Sequence, residues 1–118
     1  MRTSDKNMNK ILKRQVEKTF VQVLADLKAP DEVESALKDF FTETELETFA
    51  KRLAIAYWLR KGRSYANIKE NLKVSSATIA VVSEMMKAPG FELLLKRVEA
   101  DEWANLWSDR IKKFVKSS

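Results

Sequence analysis

Apolar residues near the start of the chain fall at Met8, Ile11, Leu12, Val16, Phe20, Val23, Leu24 and Leu27. Steps of three and four place them on one stripe of an amphipathic helix of roughly six turns. Pro30 ends that helix, because the residue before a proline avoids helical angles. Asp31 to Phe40 reads as a short helix with Val33, Ala36 and Leu37 on one side. The segment FTETELETFAKRLAIAYWLRKG, residues 41–62, carries the strongest helical signal. Either Thr42 with Glu45 or Thr44 with Glu47 fits a capping box, which satisfies an orphan amide at the helix start. Leu46, Phe49, Ala50, Leu53 and Tyr57 follow at helical spacing, and Gly62 is placed to close the helix in a left-handed conformation. Acidic residues in its first turn and Arg60-Lys61 in its last both suit the helix dipole.

Ser64 is positioned to cap a short helix over residues 65–72, with Ile68 and Leu72 facing inward. Lys73-Val74 makes a turn, and Ser75 caps a further helix over residues 76–87, where Ala77, Ile79, Val82 and Met86 are available for packing. Pro89-Gly90 ends it. A C-terminal helical extension, 91–118, begins on Phe91, Leu94, Leu95 and Val98 and continues on Trp103, Trp107, Ile111 and Phe114. The step from Val98 to Trp103 breaks the helical period, so either the helix kinks there or Asp101 caps a separate final helix. Trp103 and Trp107 share a face, suited to core or dimer packing or to a partner surface. The pattern predicts a single all-α domain over residues 1–118, with six helices, or seven if the last segment divides.

Composition agrees with the pattern. The 118 residues include only two glycines and two prolines, too few turn formers for a small β-rich fold. There is no cysteine and no histidine, which removes disulfides, thiolate nucleophiles, zinc-finger ligands and any His-dependent triad. Glu43, Glu45 and Glu47 sit where a helix start favours acids, and nothing pairs with them as nucleophile, metal ligand or phosphate loop. The expectation is no enzyme, with no catalytic residue, metal or cofactor. The longest apolar run, LAIAYWL at 53–59, is too short to cross a bilayer. The start MRTSDKNMNKILKRQ lacks the apolar core and cleavage site of a signal peptide, so a cytoplasmic protein without a membrane partner is expected.

Charge is unevenly distributed around a net +5. Residues 31–50 hold Asp31, Glu32, Glu34, Asp39, Glu43, Glu45 and Glu47, with Lys38 the lone base in their first half. Residues 60–73 hold Arg60, Lys61, Arg63, Lys69 and Lys73 against Glu70. Such a basic segment either offers a positive face to phosphates or forms ordinary solvated helix surface.

The basic segment overlaps residues 64–87, which have the anatomy of a helix-turn-helix. A second helix that enters the major groove needs small polar residues in its first turn, so that it can approach base edges and phosphates closely. Ser75, Ser76, Ala77 and Thr78 meet that need, and Ile79 and Val82 would anchor the helix behind them.

FTETELETFAKRLAIAYWLRKGRSYANIKENLKVSSATIAVVSEMMK, residues 41–87, resembles the Trp repressor superfamily, most closely its YerC/YecD-like branch. In that family an acidic LT-x-x-E opening leads into a long helix containing an arginine. A glycine, a short helix and a recognition helix of the S-x-A-T-I-S-R kind follow. Thr42, Glu45, Arg52, Gly62, Ser64, Tyr65, Ile68, Leu72, Val74, Ser75, Ala77, Thr78 and Ile79 carry the match. The resemblance implies a Trp repressor-like fold, an intertwined homodimer and two recognition helices placed on double-stranded DNA. The stripes at 8–27 and 91–114 agree, since they offer more apolar face than so small a core readily hides.

Three departures alter the expected activity. Ala80-Val81 stands where the family commonly has Ser-Arg, removing an arginine that touches DNA and, in tryptophan-binding members, helps hold the corepressor. Val82 replaces a pocket glycine, and only Arg52 remains of a pair of pocket arginines; together these weigh against tryptophan as corepressor. Lys73 stands where the turn often has glycine, so either the turn differs slightly or the fold tolerates a left-handed lysine at roughly 1 kcal/mol. Within this frame, Arg63, Lys69 and Lys73 are expected to neutralise phosphates. Ser64 and Ser75 would present helix N-termini to phosphate oxygens, and Tyr65 and Asn67 would contact the backbone. Ser76, Ala77 and Thr78 would face base edges. The leading reading is a dimeric DNA-binding transcriptional regulator, acting as a repressor. The alternative is a helical protein-protein interaction module with a degenerate helix-turn-helix, which would bury Ala80, Val81 or Met85 against a partner.

Overall fold

The computed structural model describes residues 8–102. Helix α1 spans Lys10–Asp26, and Asn9 caps it: its Oδ1 accepts from the amides of Ile11 at 2.8 Å and Leu12 at 3.4 Å. The chain turns extended at Leu27, and α2 spans Pro30–Phe40. Pro30 is therefore the first residue of α2, one position ahead of the expected start. Its missing N–H is no loss there, and Ala29 before it takes the extended conformation a proline demands.

Helix α3 spans Glu43–Arg60 and opens with the first of the two expected capping boxes. The Thr42 amide donates to Glu45 Oε1 at 2.9 Å, and the Glu45 amide donates back to Thr42 Oγ1 at 3.1 Å. Donation from the Thr42 amide, and then from the Thr42 hydroxyl, holds the Glu45 carboxyl below the usual range. Helices α4, Tyr65–Leu72, and α5, Ser76–Met85, follow, and α6 covers residues 89–102. None of these helices is long and apolar enough to cross a membrane, among the described residues.

The chain forms two compact units, the first running to Leu46 and the second starting at Glu47. In the first, Phe20 stacks on Phe40 with centroids 5.5 Å apart, yet none of its described residues is buried. The α1 stripe is open along its whole length, from 39% exposure at Leu24 to 71% at Ile11. In the second unit Ile55, Ala56, Ile68, Ile79, Val82 and Leu95 form a buried core contributed by α3, α4, α5 and α6.

That core corrects several expected faces. On α3 the buried residues are Ile55 and Ala56, whereas Phe49 and Ala50 are exposed. Residues 53–59 are apolar on every side, so spacing could not choose the face; contact with the other helices does. On α5, Ala77 is exposed, and on α6 Leu95 is buried while Leu94 is exposed. The α5 helix ends at Met85 rather than residue 87. Pro89 and Gly90, read as its stop, instead open α6, where a first-turn proline again loses no hydrogen bond. Helix α6 runs unbroken past Val98 and Asp101, so Asp101 is not a cap. Trp103, Trp107, Ile111 and Phe114 lie outside the described residues.

The end of α3 is tied to α6 by charge. Arg60 pairs with Glu92 and, through Nη1, with Glu99 Oε1 at 3.1 Å; Lys61 Nζ reaches Glu102 Oε2 at 3.2 Å. The bonds that Arg60 donates to Glu92 and then Glu99 push its pKa further up, and the same Arg60 bond holds the Glu92 carboxyl down. Arg60 and Lys61 are thus neutralised locally, which narrows the basic segment read in the sequence to Arg63, Lys69 and Lys73.

Candidate nucleic-acid interface

The interface is built on α4, the turn Lys73-Val74-Ser75 and α5. Ile68 on α4 and Ile79 and Val82 on α5 are buried together with residues of α3 and α6, which holds both helices against them. Each helix start is closed by a serine. Ser64 Oγ accepts from the Asn67 amide at 3.1 Å, and Ser75 Oγ accepts from the Thr78 amide at 3.1 Å. Both are the bonds a cap needs to satisfy an otherwise orphan donor, and both depend only on residues three apart.

Lys73 settles the question about the turn. It sits at φ 56° and ψ 52°, in the left-handed region, so the turn keeps a glycine-like geometry and carries the strain. Leu72 before it and Val74 after it both pack against the core, which pins the backbone on either side. The Lys73 side chain projects outward, exposed.

All of the residues expected to meet DNA, Arg63, Ser64, Tyr65, Asn67, Lys69, Lys73, Ser75, Ser76, Ala77 and Thr78, are exposed on this part of the chain. They fall into distinct local groups. Arg63, Ser64 and Asn67 are linked, since Arg63 Nη1 donates to Asn67 Oδ1 at 3.3 Å while the Asn67 amide bonds to Ser64. Ser75 and Thr78 are linked through their hydroxyls at 2.9 Å, which occupies the Thr78 oxygen in the capping group. Lys69 and Lys73 engage no ion pair among the described residues. Ser76 and Ala77 complete the open first turn of α5.

Two features were missed in the sequence. The first is Trp58, counted there only as part of an apolar run; the Arg63 guanidinium lies over its ring, 4.0 Å from the centroid. The second is a cleft of about 530 Å³ between α3 and α5, whose walls include Thr48, Lys51 and Arg52 on one side and Thr78, Val81 and Met85 on the other. Arg52 stands 5.3 Å from the Phe49 ring centroid, and Lys51 pairs with Glu47 at 3.1 Å. Val82, which stands where the family has a pocket glycine, is only 2% exposed and contributes mainly to the core, whereas Val81 is 59% exposed. Ala80 is exposed and Met85 half-buried, so the single chain leaves open the surface that an interaction module would cover.

The Trp repressor protein family profile matches residues 9–99. The chain belongs to that family. The match takes in the unburied α1 as well as the helix-turn-helix, well beyond residues 41–87 that carried the resemblance in the sequence. The chain is 29% identical over 97 residues to the uncharacterized protein YerC of Bacillus subtilis, which covers 80% of this chain and 92% of that protein. It also resembles the crystal structure of a TrpR-like protein from Eubacterium eligens, with a TM-score of 0.70 and 29% identity over 77% of this chain and 96% of that one. The fold is all-α and Trp repressor-like, and the chain lies in the YerC-like branch of the superfamily.

Proposed function

We propose that the chain is a DNA-binding transcriptional regulator, a repressor that acts as a homodimer and reads duplex DNA through α4 and α5. The observation that carries this reading is the first turn of α5. Ser76, Ala77 and Thr78 are exposed, small, and backed by the buried Ile79 and Val82, so a rigid helix end is available for a groove. Lys73 in the turn and Arg63 and Lys69 at α4 supply cations for flanking phosphates, while Ser64, Ser75, Tyr65 and Asn67 contact the backbone. Phosphate contacts set register, and base edges meet Ser76, Ala77 and the Thr78 methyl. With Ala80 and Val81 in place of Ser-Arg, direct readout is thin, and specificity draws on DNA shape and bridging water.

Dimerisation is supported by α1. It is a helix of 17 residues with none buried, and apart from the stack of Phe20 on Phe40 its apolar stripe stays exposed among the described residues. An exposed apolar face of that length is the surface a second copy would cover. A dimer bound across an operator blocks access to it, hence repression. Tryptophan is not required: Arg52 stands in the cleft without a second arginine, because Val81 occupies that position on α5.

The test is selection of random duplex DNA by the purified protein at near-physiological salt, followed by sequencing. Recovery of a two-fold symmetric site with half-sites about one helical turn apart is expected. Retention without a motif would reduce the reading to a non-specific DNA binder. A second reading, a protein-protein interaction module, is favoured by the exposure of Ala80 and Val81; failure to retain any DNA would select it.

A further inference from the structure

The end of α3 does more than stop a helix. Gly62 sits at φ 84°, its amide donates to the Leu59 carbonyl at 3.0 Å, and the Arg63 amide donates to the Trp58 carbonyl at 3.0 Å. This pair of bonds is a Schellman motif, which brings the second residue past the helix back over the third residue before its end. In most such motifs an apolar contact fills that juncture. Here the two residues are Arg63 and Trp58, and the guanidinium stacks on the indole face 4.0 Å from its centroid.

The same arginine is also held by Asn67, whose Oδ1 accepts from Nη1 at 3.3 Å. Both partners are neutral. The neighbouring cations are treated differently, since Arg60 pairs with Glu92 and Glu99, and Lys61 pairs with Glu102. Among the described residues no carboxylate pairs with Arg63. The turn therefore fixes one guanidinium in place without neutralising its charge. An aromatic face and an amide oxygen leave the rest of its planar donor fork open, which is the geometry that binds a phosphate through two parallel bonds.

We propose that Trp58 is a positioning residue for DNA binding, holding Arg63 as a pre-oriented phosphate clamp at the start of α4. It replaces part of the grip lost from α5, where Ala80 and Val81 carry no charge. The inference rests on the DNA-binding reading above. Fixing a long side chain in advance removes ordering entropy that binding would otherwise have to overcome, and a dimer has two such clamps. Releasing both is expected to weaken DNA binding roughly tenfold.

The test uses a duplex recovered in the selection described above, titrated with full-length protein across a range of salt. Arg63→Lys leaves Trp58 and the core in place and keeps the charge; affinity should fall while the salt slope stays that of wild type. Arg63→Ala should lower the slope as well. Trp58→Leu should weaken binding in the wild-type background and have little effect in the Arg63→Ala background, and Trp58→Phe, which keeps an aromatic face, should recover much of the loss. Because Trp58 packs on the core, circular dichroism checks that each variant is folded. The Arg63 Nε–Hε proton gives a readout without DNA: ring current from Trp58 should shift it upfield, and Trp58→Leu should abolish the shift. Wild-type affinity in Arg63→Lys, or an equal loss from Trp58→Leu with and without Arg63, would overturn the positioning role while leaving DNA binding intact. If the wild-type protein retains no duplex, the DNA-binding reading fails and this role with it, even where the upfield shift shows the stack to be real.

Discussion

Lys73 carries two properties that substitution can separate: backbone strain and positive charge. Its φ of 56° and ψ of 52° place an L-residue where Cβ crowds the backbone, at a cost of about 1–2 kcal/mol. Glycine takes the same conformation without that clash, but its greater freedom in the unfolded chain offsets about 0.5–1 kcal/mol. Lys73→Gly should therefore stabilise the fold by about 0.5–1 kcal/mol, equivalent to a rise in melting temperature of roughly 2–8 °C for a domain of this size. Lys73→Ala removes the same charge and keeps the strain, so it should leave stability near wild type. Thermal or urea unfolding at one fixed protein concentration compares the two, since a dimer's apparent stability depends on concentration. In DNA titrations both variants lose the same phosphate contact, and the salt slope should fall by about 0.9 for each contact removed. A glycine variant no more stable than the alanine variant would show that the turn is not left-handed in solution. An unchanged salt slope in both would show that Lys73 does not meet phosphate.

The core, the α1 stripe and the α6 clamp give further outcomes. Ile79→Ala empties a fully buried position behind the recognition turn and should destabilise the protein by about 2–5 kcal/mol in denaturant titration. Ile11→Glu puts a charge on the most exposed position of the α1 stripe; sedimentation should show a dimer falling apart, and an intact dimer would move the interface elsewhere. Arg60 holds the Glu92 carboxyl below its ordinary value of 4.5, so the stability it contributes is complete above that pH and is lost as pH falls through the lowered folded value. Glu92→Gln should accordingly lower stability at neutral pH and flatten its decline below pH 4.5, measured by melting temperature against pH.

Much of the candidate interface was legible because its determinants are local. Ser64, Ser75 and Thr42 bond to amides three residues away, and Gly62 closes α3 through bonds within the same turn. Ile68, Ile79 and Val82 were legible as anchors because they recur at helical spacing on short, serine-capped helices. Trp58 is the instructive miss. The glycine that ends α3 already implied that Arg63 would return over the third residue before the end, but an aromatic inside LAIAYWL reads as core by default. Pro89 was misread for a different reason. A proline is as suitable for opening a helix as for following one, and only the packing of Phe91 and Leu95 on the core shows which it does.

The sequence by itself determined the helices, their caps, the left-handed closure at Gly62 and the helix-turn-helix, since each depends on interactions within a turn or two of chain. The tertiary structure decided which side of α3 is buried, because an apolar run with no polar edge has no preferred face until other helices press on it. It also decided which cations remain available. Arg60 and Lys61 stand in the same basic segment as Arg63, yet carboxylates more than thirty residues away claim them and leave Arg63 stacked on a neutral ring. Charge along a sequence is a sum over neighbours in the chain, whereas charge offered to a ligand is what survives pairing in space.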